Sequence, residues 1–168
     1  FGNTLDSLLF TEALPVSFAY NQSKLVVNEN TSDSDVMQAS IGQGTTQMTP
    51  LHLNMITAAI ANDGMLMKPY VVDHVENNER NIVKQFSQDT YKRLMSEKEA
   101  EALTQLMEAV VESGTGTKLS GLSYTAAGKT GSAEYNSVKT DSHAWFTGFA
   151  PVESPEVCVT SSIEGAGS

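Results

Sequence analysis

Gly128-Lys129-Thr130-Gly131-Ser132-Ala133-Glu134 sets a cation, two hydroxyls and two glycines inside one strand-forming stretch. Glycine weakens a strand interior, so finding it twice marks a place where something comes close to the backbone, and a ligand is one such thing. A carboxylate held against this edge would accept charge-assisted hydrogen bonds from Lys129 and neutral ones from the Thr130 or Ser132 hydroxyl. Unpaired main-chain N–H groups along the same edge would meet a peptide as an added strand. Strict alternation sends Lys129 and Gly131 to one face and Thr130 and Ser132 to the other. All four serve one site only if a cleft runs along the strand's edge.

Three strand-like runs follow one another at 124–135, 143–150 and 156–163. The connections at 136–142 and 151–155 are short and polar, which predicts adjacent antiparallel pairing. Before them lies a helix opened by Ser96, with Glu99 three residues on as the other half of a capping box. Leu103, Leu106, Met107, Val110 and Val111 recur at helical spacing as one apolar stripe, and Gly114 ends the pattern. Thr49-Pro50 opens a second helix by a capping residue and a proline at the first helical position, followed by an apolar run at 51–61 and a stop at Gly64. Its alanines at 58, 59 and 61 let another element pack closely. Between the two helices, β-branched runs at 70–75 and 82–86 flank a polar 76–81, which reads as a hairpin or two short strands. The first forty residues are polar and punctuated, with Pro15 and an Asn/Ser/Asp-rich stretch at 28–35 suited to an exposed loop. Helices followed by a strand meander, without alternating βα units, give an α+β fold: an antiparallel sheet with helices packed on it.

The 168 residues fit one domain or a large piece of one. Ten basic against twenty acidic residues give a net charge of -10, which repels the phosphates a nucleic-acid partner would present. No stretch approaches the ~20 consecutive apolar residues of a bilayer-spanning helix, and no signal segment opens the chain, so the polypeptide is expected to be soluble. Phe1 at the start and Gly165-Ala166-Gly167-Ser168 at the end look like cuts in a longer protein, with any anchor outside. Cys158 is the lone cysteine and reads as a small buried side chain in a strand. His52, His74 and His143 lack metal-ligand spacing, so neither metal nor cofactor is expected.

Two motifs compete for Gly128-Lys129-Thr130. A phosphate-binding loop would need its first glycine at 123, where Ser123 stands, and would lead into a helix, whereas Gly131 onward continues as strand. The alternative is the Lys-Thr-Gly element of penicillin-recognising serine enzymes, which lies on a strand lining the active site. The residues around it decide between the two. Residues 127–135 followed by His143-Ala144-Trp145-Phe146-Thr147-Gly148-Phe149-Ala150-Pro151 resemble the paired strands of penicillin-binding protein transpeptidase domains. In the same order upstream, Ala39-Ser40-Ile41-Gly42-Gln43-Gly44, Met48-Thr49-Pro50-Leu51, Ala61-Asn62-Asp63-Gly64 and Val111-Glu112-Ser113-Gly114-Thr115-Gly116 resemble that family too. The likeness runs from about Gln38 onward and is closest to the monofunctional, membrane-anchored class.

The resemblance implies part of a β-lactamase/transpeptidase-like domain that cross-links peptidoglycan: a serine attacks a D-alanyl-D-alanine stem peptide, and an amine resolves the acyl-enzyme. β-Lactam antibiotics would acylate the same serine. It implies that Lys129 binds the substrate carboxylate and supports proton relay, and that Ser132 contacts that carboxylate while its N–H forms half of an oxyanion hole. Thr130 and Gly131 complete the element, and Glu134 borders the cleft or is a solvated strand carboxylate. The family also needs Ser-x-x-Lys and Ser-x-Asn, and neither occurs in this sequence; Thr115-Gly116-Thr117-Lys118 is the nearest imitation and reads as a loop. Residues 1–168 are therefore expected to be the C-terminal portion of one transpeptidase domain, with the N-terminal part, which holds the nucleophile, as its missing partner. The last helix usually covering the sheet would also lie outside. Such a fragment is expected to be inactive alone. A non-catalytic module of the same fold, or a β-lactamase or D,D-carboxypeptidase fragment, are the alternatives. A protease triad is not expected, because His143 adjoins Asp141 and Ser142 too closely along the backbone.

Overall fold

A computed structural model describes residues 2–25, 27–134 and 142–166. Its central helix, α3 (Pro50–Ala61), begins where the extended Thr49 accepts a hydrogen bond from the His52 N–H at 3.3 Å and Pro50 occupies the first turn. Met55, Ile56, Ala59 and Ile60 are buried, and Ala59 is wholly inaccessible. The helix ends at Ala61 and the chain turns away at Gly64, whose φ of +83° suits glycine and whose hypothetical Cβ would lie 2.2 Å from the Met95 carbonyl oxygen. The long helix α4 (Glu97–Ser113) carries the complete capping box: Ser96 Oγ accepts from Glu99 N–H at 3.3 Å, and Glu99 Oε2 accepts from Ser96 N–H at 2.8 Å.

The main sheet is the meander β5 (Ala127–Glu134), β6 (Ser142–Ala150) and β7 (Val157–Ile163), antiparallel throughout, with β6 in the middle. Directly opposed residues share a face. Ala127 and Phe149 are opposed, both are buried, and both join Met55, Ile56, Ala59 and Met107 in the core, so their face is the one α3 and α4 cover. Lys129 opposite Thr147 and Gly131 opposite Trp145 lie on that same face, while Gly128 opposite Gly148, Thr130 opposite Phe146 and Ser132 opposite Ala144 lie on the other. The Phe146 ring spreads over the glycine pair: a Cβ on Gly128 or on Gly148 would come within 2.8 Å of it.

A chain of hydroxyls sets α3 against the sheet. Thr57 Oγ1 donates to the Leu53 carbonyl at 2.9 Å and meets Thr147 Oγ1 at 2.7 Å; Thr147 Oγ1 meets Thr160 Oγ1 at 2.7 Å; Asn54 Nδ2 donates to Thr160 Oγ1 at 3.3 Å. Each hydroxyl has one proton. With that of Thr57 on Leu53, Thr147 must donate to Thr57 and Thr160 to Thr147, so the whole chain runs in one direction. Thr147, opposite Lys129, is thereby fixed to α3.

The meander, both capped helices and the hairpin of β2 (His74–Glu76) with β3 (Ile82–Gln85) meet the expectations from sequence. Others need correction. Strand β5 starts at Ala127, not 124, and the 70–73 stretch precedes β2 rather than joining it. The expected strand end at 135 and connection through 141 lie outside the described residues. Residues 28–35 are not all loop: Ser32 accepts from Asp35 N–H and starts helix α2 (Asp33–Ser40). The opening segment, with helix α1 (Gly2–Ser7), sends Leu5, Leu9, Phe10 and Leu14 into buried positions. A small sheet of β1 (Met65–Met67) and β4 (Thr90–Arg93) has no counterpart among the expected elements. On α4, Met107 and Val111 are buried but Leu106 is 65 % exposed, so the apolar stripe is wider than the buried seam. Cys158 is half-buried between Asn54 and the sheet, which pushes its thiol pKa up to about 11.

Candidate active site

Strand β5 is an edge strand: among the described residues, only β6 pairs with it. Which of its main-chain groups face out follows from the glycine pair. The Ala127 and Thr147 carbonyls point into the β5–β6 gap, 2.6 Å and 3.4 Å from the Cβ positions of Gly148 and Gly128. Ala127, Lys129, Gly131 and Ala133 thus bond to β6, and alternation turns the N–H and C=O of Gly128, Thr130, Ser132 and Glu134 to the open edge. The contacts on that edge agree: Lys129 Nζ donates to the Thr130 carbonyl at 2.6 Å, and Gln43 Nε2 donates to the Ser132 carbonyl at 3.1 Å.

Lys129 roots on the helix-covered face and Thr130 and Ser132 on the other, as strict alternation requires. The reach of the lysine closes the gap, because its amine folds around to the edge at Thr130. The edge therefore collects one ammonium and the outward N–H groups of Thr130 and Ser132, with the exposed Ser132 side chain rooted beside them on the uncovered face. This is a set of donors suited to a carboxylate and to a developing oxyanion.

Of the residues singled out in the sequence, Lys129 and Thr130 are in contact, Ser132 follows on the same edge, and Gly131 is exposed with only the Trp145 Cβ, at 3.4 Å, near its own Cβ position. Glu134 is exposed at the far end of β5, opposite Ser142. Gly128 answers to a different need from the one its sequence context implied: the group close to its backbone is the Phe146 ring. Two further residues belong to this edge. Gln43 arrives from the loop after α2, and Thr115, just beyond α4, shares a short hydroxyl–hydroxyl hydrogen bond with Thr130. Both stand in glycine-flanked stretches, Gly42-Gln43-Gly44 and Gly114-Thr115-Gly116, and Gly42 and Gly44 have φ of +76° and +71°. Glycine spacing was the available signal; the contact itself joins residues 89 positions apart.

Among the described residues, no group of three or more His, Cys, Asp or Glu is arranged to hold a metal ion. No described helix is long and apolar enough to cross a membrane. An open groove of about 490 Å³ lies on the uncovered face of the sheet, lined by Leu122, Tyr124, Phe146, Val157 and Val159 among others. It is apolar and lies behind β5 rather than along its donor-rich edge.

The chain is similar to several known proteins. It is 35% identical over 131 residues to the peptidoglycan D,D-transpeptidase PbpA of Mycolicibacterium smegmatis, covering 77% of this chain and 26% of that protein. It is 30% identical over 152 residues to the peptidoglycan D,D-transpeptidase MrdA of Haemophilus influenzae, covering 79% of this chain and 23% of that protein. Among solved structures, the imipenem acyl-enzyme complex of penicillin-binding protein A from M. tuberculosis superposes with a TM-score of 0.86 at 28% identity, over 97% of this chain and 37% of that one. The chain thus spans about a quarter of the length of the curated relatives it matches. The model of the penicillin binding protein transpeptidase domain matches residues 1–168, and with it the likeness of sequence and of fold has one meaning: the chain belongs to the penicillin-binding protein transpeptidase domain family.

Proposed function

We propose that residues 1–168 form the C-terminal portion of a D,D-transpeptidase domain that cross-links peptidoglycan and is acylated by β-lactams. In this reading the open edge of β5 grips the substrate: Lys129 binds the carboxylate of a D-alanyl-D-alanine stem peptide or a β-lactam and supports proton transfer. The Ser132 hydroxyl joins that contact, and its outward N–H supplies one oxyanion donor. Thr130 orders the edge through Thr115 and the lysine, Gly131 leaves room for the acyl group, and Glu134 borders the far end. The observation that carries the reading is the outward turn of Thr130 and Ser132 beside the Lys129 amine.

The nucleophile enters from outside this chain, since neither Ser-x-x-Lys nor Ser-x-Asn occurs in the sequence. The N-terminal part of the same domain is the proposed source of both, and the chain by itself is proposed to be inactive. The intact protein would work on the extracytoplasmic side of the cell membrane, where peptidoglycan is assembled, held by an anchor outside these residues.

The test is the rate of labelling of the full-length protein by a fluorescent penicillin. Removing a charge-assisted donor from the reacting complex is worth about 2–3 kcal/mol, roughly a hundredfold in rate. Lys129→Ala is therefore expected to slow labelling about a hundredfold. Labelling at the wild-type rate would take Lys129 out of the mechanism.

A further inference from the structure

Both central carbonyls on the open edge of β5 are already occupied by side chains of the protein itself. Lys129 Nζ sits on Thr130 O and Gln43 Nε2 on Ser132 O. Such capping protects an edge strand against pairing with another chain. It also sets the caps in competition with the N–H groups that a peptide added as a strand would bring to the same carbonyl oxygens.

The two caps differ in what becomes of them. The lysine has a second role waiting, a ligand carboxylate. Gln43 has none, and it is neutral. Its backbone is fixed: its N–H donates to Gln38 O at 2.9 Å, its carbonyl accepts from Thr46 Oγ1 at 2.9 Å, and the bridge between Lys24 and Gln47 ties down the end of the loop. Releasing Ser132 therefore needs only rotation of the Gln43 side chain, with the loop left in place.

We propose that Gln43 is a displaceable clip and a specificity-determining residue: its carboxamide reserves the Ser132 carbonyl until a ligand that carries a strand-like amide N–H replaces it. Ligands without such an N–H leave the clip closed and gain nothing from its removal. The inference rests on the proposed transpeptidase reading of the site and adds to it a cost that falls on one class of ligand.

The experiment uses the full-length protein with Gln43→Ala and with Gln43→Met, which keeps the length of the side chain and lacks the donor. The second-order acylation rate is measured with penicillin G, whose acylamino chain presents an N–H, and with imipenem, which carries a hydroxyethyl group there. One neutral hydrogen bond is at stake, so penicillin G acylation is expected to rise roughly fivefold in both variants, through tighter binding with the limiting acylation rate unchanged, while imipenem stays within about twofold. Equal rates for penicillin G, a rise for both compounds alike, or a fall for both would overturn the clip, the last making Gln43 a fixed support of the strand. If the wild-type protein reacts with neither compound, the transpeptidase reading itself fails and the clip falls with it.

Discussion

Lys129 places its polar group at a distance from its own root on the sheet, and His52 does the opposite. The lysine starts on the covered face of the sheet and delivers its charge to the edge. His52 is 1% exposed within α3; its Nε2 lies 2.7 Å from the Leu8 carbonyl, and its Nδ1 has no partner among the described residues. A carbonyl only accepts, so Nε2 carries the proton and the neutral ring ties the opening segment to the helix. Burial holds its pKa below the ordinary 6.5, against a smaller upward pull from the Leu8 hydrogen bond. The folded state thus binds this proton less readily than the unfolded state. Stability is fully present above pH 6.5 and declines as pH falls from there toward the lowered folded value. Thermal unfolding of the protein carrying this chain, followed from pH 7.5 to 5.5, should show that decline, and His52→Gln should flatten it. A wild-type transition that holds or rises on acidification would contradict the assignment.

At the scale of elements, the two capped helices and the three long strands are legible in the sequence, each for a local reason. Ser96 with Glu99 and Thr49 with Pro50 announce helix starts from within four residues, and the β-branched and aromatic runs of β6 and β7 fit a pleated surface. Ser96→Ala should therefore cost about 1 kcal/mol of stability, the usual worth of a cap, read as a lower denaturant midpoint at unchanged slope. The loss should shrink in acid, because the Ser96 hydroxyl and then its N–H hold Glu99 below its ordinary 4.5, and the reciprocal half of the box goes as the carboxylate is protonated. An equal midpoint in the variant would show the cap to be silent. What could not be read lacks such local signatures. The three-residue β1 exists because β4 lies beside it, α1 is too short for a period to emerge, and α2 hides its Ser32 cap in a run of polar residues that also suits a loop. The same contrast holds in the site. Lys129, Thr130 and Ser132 are one continuous motif, whereas Gln43 and Thr115 reach it only through the fold.

For the molecule as a whole, the two faces of the β5–β6–β7 sheet are unequal. Helices α3 and α4 cover one, and the hydroxyl chain through Thr57, Thr147 and Thr160 locks it in register. The other leaves Val157 at 58%, Val159 at 50% and Ile163 at 61% exposed beside the half-exposed Phe146. An apolar face of this kind is normally covered. The proposed function assigns that cover, and the nucleophile, to the rest of the same domain. On that proposal the strand edge and the serine form one catalytic unit divided along the chain, with these residues as the gripping half.

Labelling with fluorescent penicillin of two samples side by side, the full-length protein and residues 1–168 alone, tests that division most directly. A covalent, denaturation-resistant adduct on the full-length protein and none on residues 1–168 is the predicted result. An adduct on residues 1–168, or none on the full-length protein, would contradict it.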